Sequence, residues 1–196
     1  MLFRSRLPEH TCIRAGDLAS RDLRRDSWTT RLAQRACLRN MATPNPFVHA
    51  VYVAAVAFQD RRRAGSEEFY LTHVLEVAQA LGPDATVSEL STAVLHDVLE
   101  DTDWSIHDLA ESGVGGPVVE AVEVLTRRAE ESDEAFVARI CAAPGEVGVM
   151  AQRVKLADLT VNLANAQTDQ ERERFERNLP FVRAAVGRAL KARTPD

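Results

Sequence analysis

From residue 45 onward, apolar positions recur at the three-and-four spacing of helices, and no stretch of any length shows the two-residue alternation of a strand. Asn45-Pro46 is an N-cap followed by proline at the first helical position. It opens a helix through Val48, Val51, Ala55 and Phe58 to about Asp60. A second helix is expected from about Ser66 to Leu81, on Phe69, Leu71, Val74, Leu75, Val77 and Ala78, and is stopped by Gly82-Pro83. Thr86 and Glu89 have capping-box spacing and open a third, carried by Val87, Leu90, Ala93, Val94, Val98 and Leu99. Shorter helices follow over Ser105 to Ser112, from Pro117 through Leu125, and over Ser132 to Ala142. A long one spans about Glu146 to Ala166, and one or two amphipathic helices cover Gln170 to Arg193, breaking near Pro180. About eight helices and no sheet make the domain over 44–194 all-α.

Residues 1–43 are different: arginine-rich, weakly periodic, with at most a helix from about Leu18 to Leu38. Residues 1–40 hold nine arginines against four acids, whereas the remaining 156 carry a balance of −10. The body is therefore no broad basic surface, which argues against nucleic acid as a partner. The N-terminal stretch reads either as a nucleic-acid or targeting arm or, preferably, as an extension the domain can do without, with Met41 as a candidate start, so truncation to Met41 should leave fold and activity intact. No apolar run reaches the ~18 residues of a membrane span, and the extension lacks the apolar core of a secretory signal. Three cysteines with no framework spacing suit a reducing, cytoplasmic setting.

The chemistry gathers at Leu95 to Thr102, where His96, Asp97, Glu100 and Asp101 fall within six residues. If the third helix runs through them, His96 lies one turn from Glu100 and Asp97 one turn from Asp101. A charged helix end beside a turn is also what an ordinary solvated surface looks like, so other segments must decide. His73 sits among the apolar residues of the second helix. On the long helix Lys155, Asp158 and Asn162 form one polar stripe, which needs partners or a water-filled cleft. The lone His49 reads as a core or partly exposed residue rather than a ligand, and His107 as an exposed one. Two imidazoles and two carboxylates, His73, His96, Asp97 and Asp158, suit a divalent ion such as manganese, iron or zinc. Such an ion makes a bound water acidic and polarises a phosphoryl oxygen, while Glu100 and Asp101 can orient that water or take its proton. The run Arg61-Arg62-Arg63 is either a solvated loop or a clamp for phosphate or a base.

Together, His73, the His96-Asp97 doublet and Asp158 within Val-Lys-Leu-Ala-Asp resemble the signature of the HD phosphohydrolases. More narrowly, Leu95 to Thr102, Tyr70, the arginine run and the Lys155 to Asn162 segment resemble the hydrolase domain of RelA/SpoT-type enzymes and small alarmone hydrolases. The resemblance covers about Phe47 to Asn165. It implies a compact HD-domain bundle and hydrolysis of the 3′-pyrophosphate of (p)ppGpp to GDP or GTP, usually with Mn2+. Carried over, His73, His96, Asp97 and Asp158 hold the metal and Glu100 and Asp101 serve the water. Arg62 flanks the base, Arg63 meets phosphate, and Lys155 and Asn162 contact the nucleotide.

Several positions depart from that pattern. Val74 replaces a proline, Arg63 a lysine, and Leu159 and Ala164 basic residues; the basic residue of the first helix falls near Ala57 or Phe58. The metal set is complete but the nucleotide pocket is altered. Two alternatives stay open: an HD phosphohydrolase of another nucleotide or phosphate ester, or a non-catalytic nucleotide-binding module, which the Glu100-Asp101 pair argues against. The oligomeric state is not legible.

Overall fold

The computed structural model describes Leu38 and residues 45–193, and among them the fold is entirely helical. Nine helices follow in order: α1 Pro46–Ala57, α2 Tyr70–Ala80, α3 Val87–Leu95, α4 Val98–Asp101, α5 Ile106–Glu111, α6 Gly116–Leu125, α7 Asp133–Ala142, α8 Gly145–Ala164 and α9 Asp169–Arg193. Local signals set four of the nine starts among the described residues. Asn45 Oδ1 accepts from Phe47 N at 2.9 Å. Thr86 and Glu89 form a reciprocal capping box, as do Ser105 and Asp108, and the Ser132 hydroxyl caps α7.

α3 is the axis of the bundle. Its second half, Ser91 to Leu95, is buried on all sides and carries the small hydroxyl residues Ser91 and Thr92 beside Ala93, Val94 and Leu95. It packs on α1, α2, α6 and α8, and α8 in turn meets α2, α6, α7 and α9. Their shared core includes Val53, Phe58, Val74, Val77, Val94, Leu95, Val122 and Val154. Glu89, which is buried, ties α3 to α8 through Arg153 Nη1 at 2.8 Å. Leu38, from the stretch expected to be dispensable, is 3% exposed and belongs to this core. The rest of that stretch, including the helix expected from Leu18, lies outside the described residues.

Three expectations change. The third helix does not run through His96 to Asp101: α3 ends at Leu95 and Asp97 leaves the helical region at φ −101°, ψ 3° before the single turn α4. Residues adjacent on a straight helix point roughly 100° apart; the break lets His96 and Asp97 face the same space. α2 starts at Tyr70 rather than near Ser66. The residues before it fold back as a loop, with Arg62 bridged to Phe69 and a turn at Gly65, whose φ of 71° suits glycine. Finally, α9 does not break at Pro180. That proline costs one backbone hydrogen bond and a ring clash, about 3 kcal/mol in isolation. Phe175, Leu179 and Val182 pack on Val137 and Leu159 on either side of it and hold α9 against α7 and α8.

Candidate active site

α2, the end of α3 and the middle of α8 bring three side chains together at the centre of the bundle. His73, His96 and Asp158 are all buried, and one donor atom from each lies within 4.8 Å of the others. Asp158 Oδ1 stands 3.5 Å from His73 Nε2 and 3.6 Å from His96 Nε2. Asp97 joins from the break: its Oδ2 is 2.9 Å from His96 Nε2 and 3.8 Å from His73 Nε2.

This cluster fits a divalent cation. His96 Nδ1 bonds the Ala93 carbonyl at 2.8 Å, and a carbonyl only accepts, so Nδ1 carries the proton. Nε2 is then a bare lone pair, buried and without a hydrogen-bond partner, aimed at two carboxylates. Lone pairs crowded in that way require a positive charge among them, either a metal ion or a proton. Without a metal, burial disfavours the imidazolium, but Asp97 and Asp158 outweigh burial and raise His96 well above its ordinary value. His73, His96 and Asp158 can thus hold a divalent metal.

The neighbours hold these donors in place. Tyr70 OH donates to Asp97 Oδ2 at 2.6 Å. Burial, and then the Asp97 charge, push the phenol far above its usual value, so it stays a donor. Lys155 Nζ lies 2.8 Å from Asp158 Oδ2, and Asn162 Nδ2 donates to Asp158 Oδ1 at 2.6 Å. The stripe on α8 is therefore a cradle for one carboxylate. Burial opposes the Asp158 charge, but Lys155 and then the two imidazoles hold its carboxyl well below the usual range.

Two cavities open on the cluster. One of about 310 Å³ is lined by Asp97, Glu100, Asp158, Lys155 and Arg127 among others. The other, of about 500 Å³, lies against His73 and the loop of Arg61, Arg62 and Arg63. Tyr70, Asp101, Asn162, Arg174 and Phe175 line both and form the seam. Larger cavities lie elsewhere, one beneath Leu38 and His49 and one beside Arg139; neither carries this donor set.

The remaining candidates fall as follows. Glu100 Oε1 accepts from the backbone N–H of Arg127; burial pushes its carboxyl up, partly offset by that bond. Asp101 pairs with Arg61 Nη2 at 2.5 Å. Arg62 lies over the Phe69 ring at 3.5 Å and donates to the Glu67 carbonyl. Arg63 turns toward Glu76, 3.4 Å away. His49 is a core residue bonded to the Ser112 carbonyl, and the His107 side chain is exposed. Arg127 and Arg174 also reach the site, from the α6–α7 connection and from α9. Neither has a sequence signal beyond lying on a helix end or an amphipathic face.

Comparison with known proteins completes the assignment. No family model matches the chain. It is 34% identical over 122 residues to guanosine-3′,5′-bis(diphosphate) 3′-pyrophosphohydrolase MESH1 of Drosophila melanogaster, spanning 60% of this chain and 67% of that protein. The chain belongs to the HD-domain hydrolases of the RelA/SpoT type. The fold agrees with that family: a solved structure, described as a metazoan ortholog of SpoT that hydrolyzes ppGpp, matches with a TM-score of 0.61. That match covers 74% of this chain and 88% of the other at 24% identity. In this RelA/SpoT-type chain the His96-Asp97 pair is set at the break between α3 and α4. No helix among the described residues is long and apolar enough to cross a membrane.

Proposed function

We propose that this HD hydrolase removes the 3′-pyrophosphate of (p)ppGpp-like alarmones, giving GDP or GTP and pyrophosphate, in the cytoplasm and with Mn2+ as its metal. The observation that carries this reading is the buried convergence of His73, His96 and Asp158 beside the acidic pair Glu100 and Asp101, in a chain related to a 3′-pyrophosphohydrolase. Asp97, 2.9 Å from His96 Nε2, is the fourth metal donor.

The chemistry a divalent ion supplies at such a site is a more acidic water and a polarised phosphoryl oxygen. The protein's own groups do the rest. Glu100 Oε1 is held by Arg127 N–H, which leaves Oε2 to take the proton of the attacking water. The raised Glu100 carboxyl is a better base than an ordinary one and can return the proton to the departing 3′ oxygen as the phosphorus–oxygen bond breaks. Asp101, anchored by Arg61, orients the same water. Tyr70, Lys155 and Asn162 keep Asp97 and Asp158 aimed inward. Lys155 and Asn162 also line the cavity and meet the nucleotide there. Arg62 flanks the base, and Arg63 contacts phosphate from the adjoining cavity.

A second reading, a different pyrophosphorylated nucleotide, is favoured by one feature. Leu159, at a position where the family tends to place a basic residue, is buried in the apolar contact with α9 and brings no charge to a ligand. Incubation with Mn2+ and a panel of nucleotides separates the two. The alarmone reading expects GDP and pyrophosphate from ppGpp, at a higher kcat/KM than for any nucleotide lacking a 3′-diphosphate. Inert ppGpp beside a cleaved competitor would overturn it in favour of the second.

A further inference from the structure

A doubly pyrophosphorylated nucleotide brings several negative charges into a site that already holds five acids: Asp97, Glu100, Asp101, Asp133 and Asp158 line the smaller cavity. Six cations among the described arginines and lysines face the two cavities: Arg61, Arg62, Arg63, Arg127, Lys155 and Arg174. Four of them have a carboxylate partner within 3.4 Å: Arg61 on Asp101, Arg63 on Glu76, Arg127 on Asp133 and Lys155 on Asp158. Arg62 is committed to the Phe69 ring and the Glu67 carbonyl. Arg174 differs from all of these. Its side chain is 46% exposed, and its Nε stands 3.9 Å from Asp133, a carboxylate whose other oxygen already takes Arg127 Nη2 at 2.6 Å. Its guanidinium centre sits 4.7 Å from the ring of Phe175, and both residues line the seam.

Position says which part of a ligand Arg174 would meet. A scissile 3′-diphosphate must lie at Asp97, Asp158 and Glu100, in the smaller cavity. The rest of the nucleotide then has to cross the seam toward the arginine loop, and Arg174 faces both sides of that crossing. We propose that Arg174 is a substrate-binding residue of this site that grips the 5′-diphosphate, the phosphates that remain on the product. It is delivered to the site by α9. A planar guanidinium with uncommitted donors is suited to a diphosphate. The inference rests on the alarmone reading for its substrate, but its test does not need turnover.

The experiment titrates GDP and, separately, inorganic pyrophosphate into the full-length protein with Mn2+ by calorimetry, for wild type, Arg174→Ala, Arg174→Lys and Arg172→Ala. Arg174→Ala should weaken GDP by about tenfold or more and leave pyrophosphate unchanged. Arg174→Lys should recover part of that affinity, and Arg172→Ala, on the same helix but away from both cavities, should match wild type. With ppGpp as substrate, KM of Arg174→Ala should rise as GDP affinity falls, while kcat stays within roughly threefold. GDP affinity unchanged in both Arg174 variants, or an equal fall for pyrophosphate, would overturn the assignment. Wild-type protein inert toward ppGpp would overturn the hydrolase reading, while the GDP titration would still decide the role of Arg174.

Discussion

His96 and Asp97 are neighbours in the chain and also face each other across the site, with Nε2 of one 2.9 Å from Oδ2 of the other. The helix break between them makes this possible, and the Ala93 carbonyl fixes the His96 tautomer that points a lone pair inward. Metal and protons must therefore compete for the same place. His96 is raised above its ordinary 6.5 in the metal-free protein, so the stability it contributes is complete below that value and is lost as pH rises through the raised one. Metal binding has the opposite sign. Below the raised value the ion displaces a proton, and affinity should tighten by up to about tenfold per pH unit. Calorimetric Mn2+ titrations between pH 6 and 8 in two buffers of different ionisation enthalpy would read both the affinity and the proton released. An affinity independent of pH would show that His96 is not a ligand.

Tyr70→Phe removes the 2.6 Å bond to Asp97 without altering the ring. Loss of a group that orients a ligand typically weakens metal affinity by about tenfold or more. The variant should show that loss in a Mn2+ titration with little change in metal-free unfolding.

Lys155→Met leaves Asp158 buried without its cation. Breaking one side of a buried pair costs about 3 kcal/mol, measurable in urea unfolding of the metal-free protein. Added Mn2+ should restore part of the difference, because the ion supplies the missing positive charge. A variant as stable as wild type without metal would mean that Asp158 does not depend on Lys155.

Leu38→Ala tests whether the arginine-rich segment is dispensable. Leu38 is buried among residues of the main core, and truncating a core leucine costs about 2–4 kcal/mol. A protein started at Met41 should show a similar loss in urea unfolding. Equal stability of the two lengths would put Leu38 outside the folded unit.

What the sequence revealed, and what it concealed, follows from the range of each interaction. The caps at Asn45, Thr86, Ser105 and Ser132 are contacts within a few residues, so their chemistry is written locally. The donors His73, His96, Asp97 and Asp158 were legible because polar groups on apolar helices are costly unless something binds them. The break at His96-Asp97 was not, since Val98 and Leu99 continue the helical period across it. Pro180 misled for the converse reason: a local rule favoured a break, and packing of Phe175, Leu179 and Val182 against α7 and α8 overrode it. Arg174 and Arg127 reach the site through tertiary placement alone, as does the pairing of Arg61 with Asp101.

Glu100→Gln should keep the fold and the Mn2+ affinity while lowering turnover by about 10²–10⁴-fold, the range of a lost general base. Parallel metal titration and steady-state kinetics check both halves. Wild-type turnover in the variant would transfer the proton-accepting role to Asp101.

The most direct test strips the protein of metal and follows pyrophosphate release from ppGpp before and after one equivalent of Mn2+ is added. The site built by His73, His96, Asp97 and Asp158 predicts no turnover before the addition and formation of GDP and pyrophosphate after it. Turnover that ignores the metal, or none in its presence, would contradict the account.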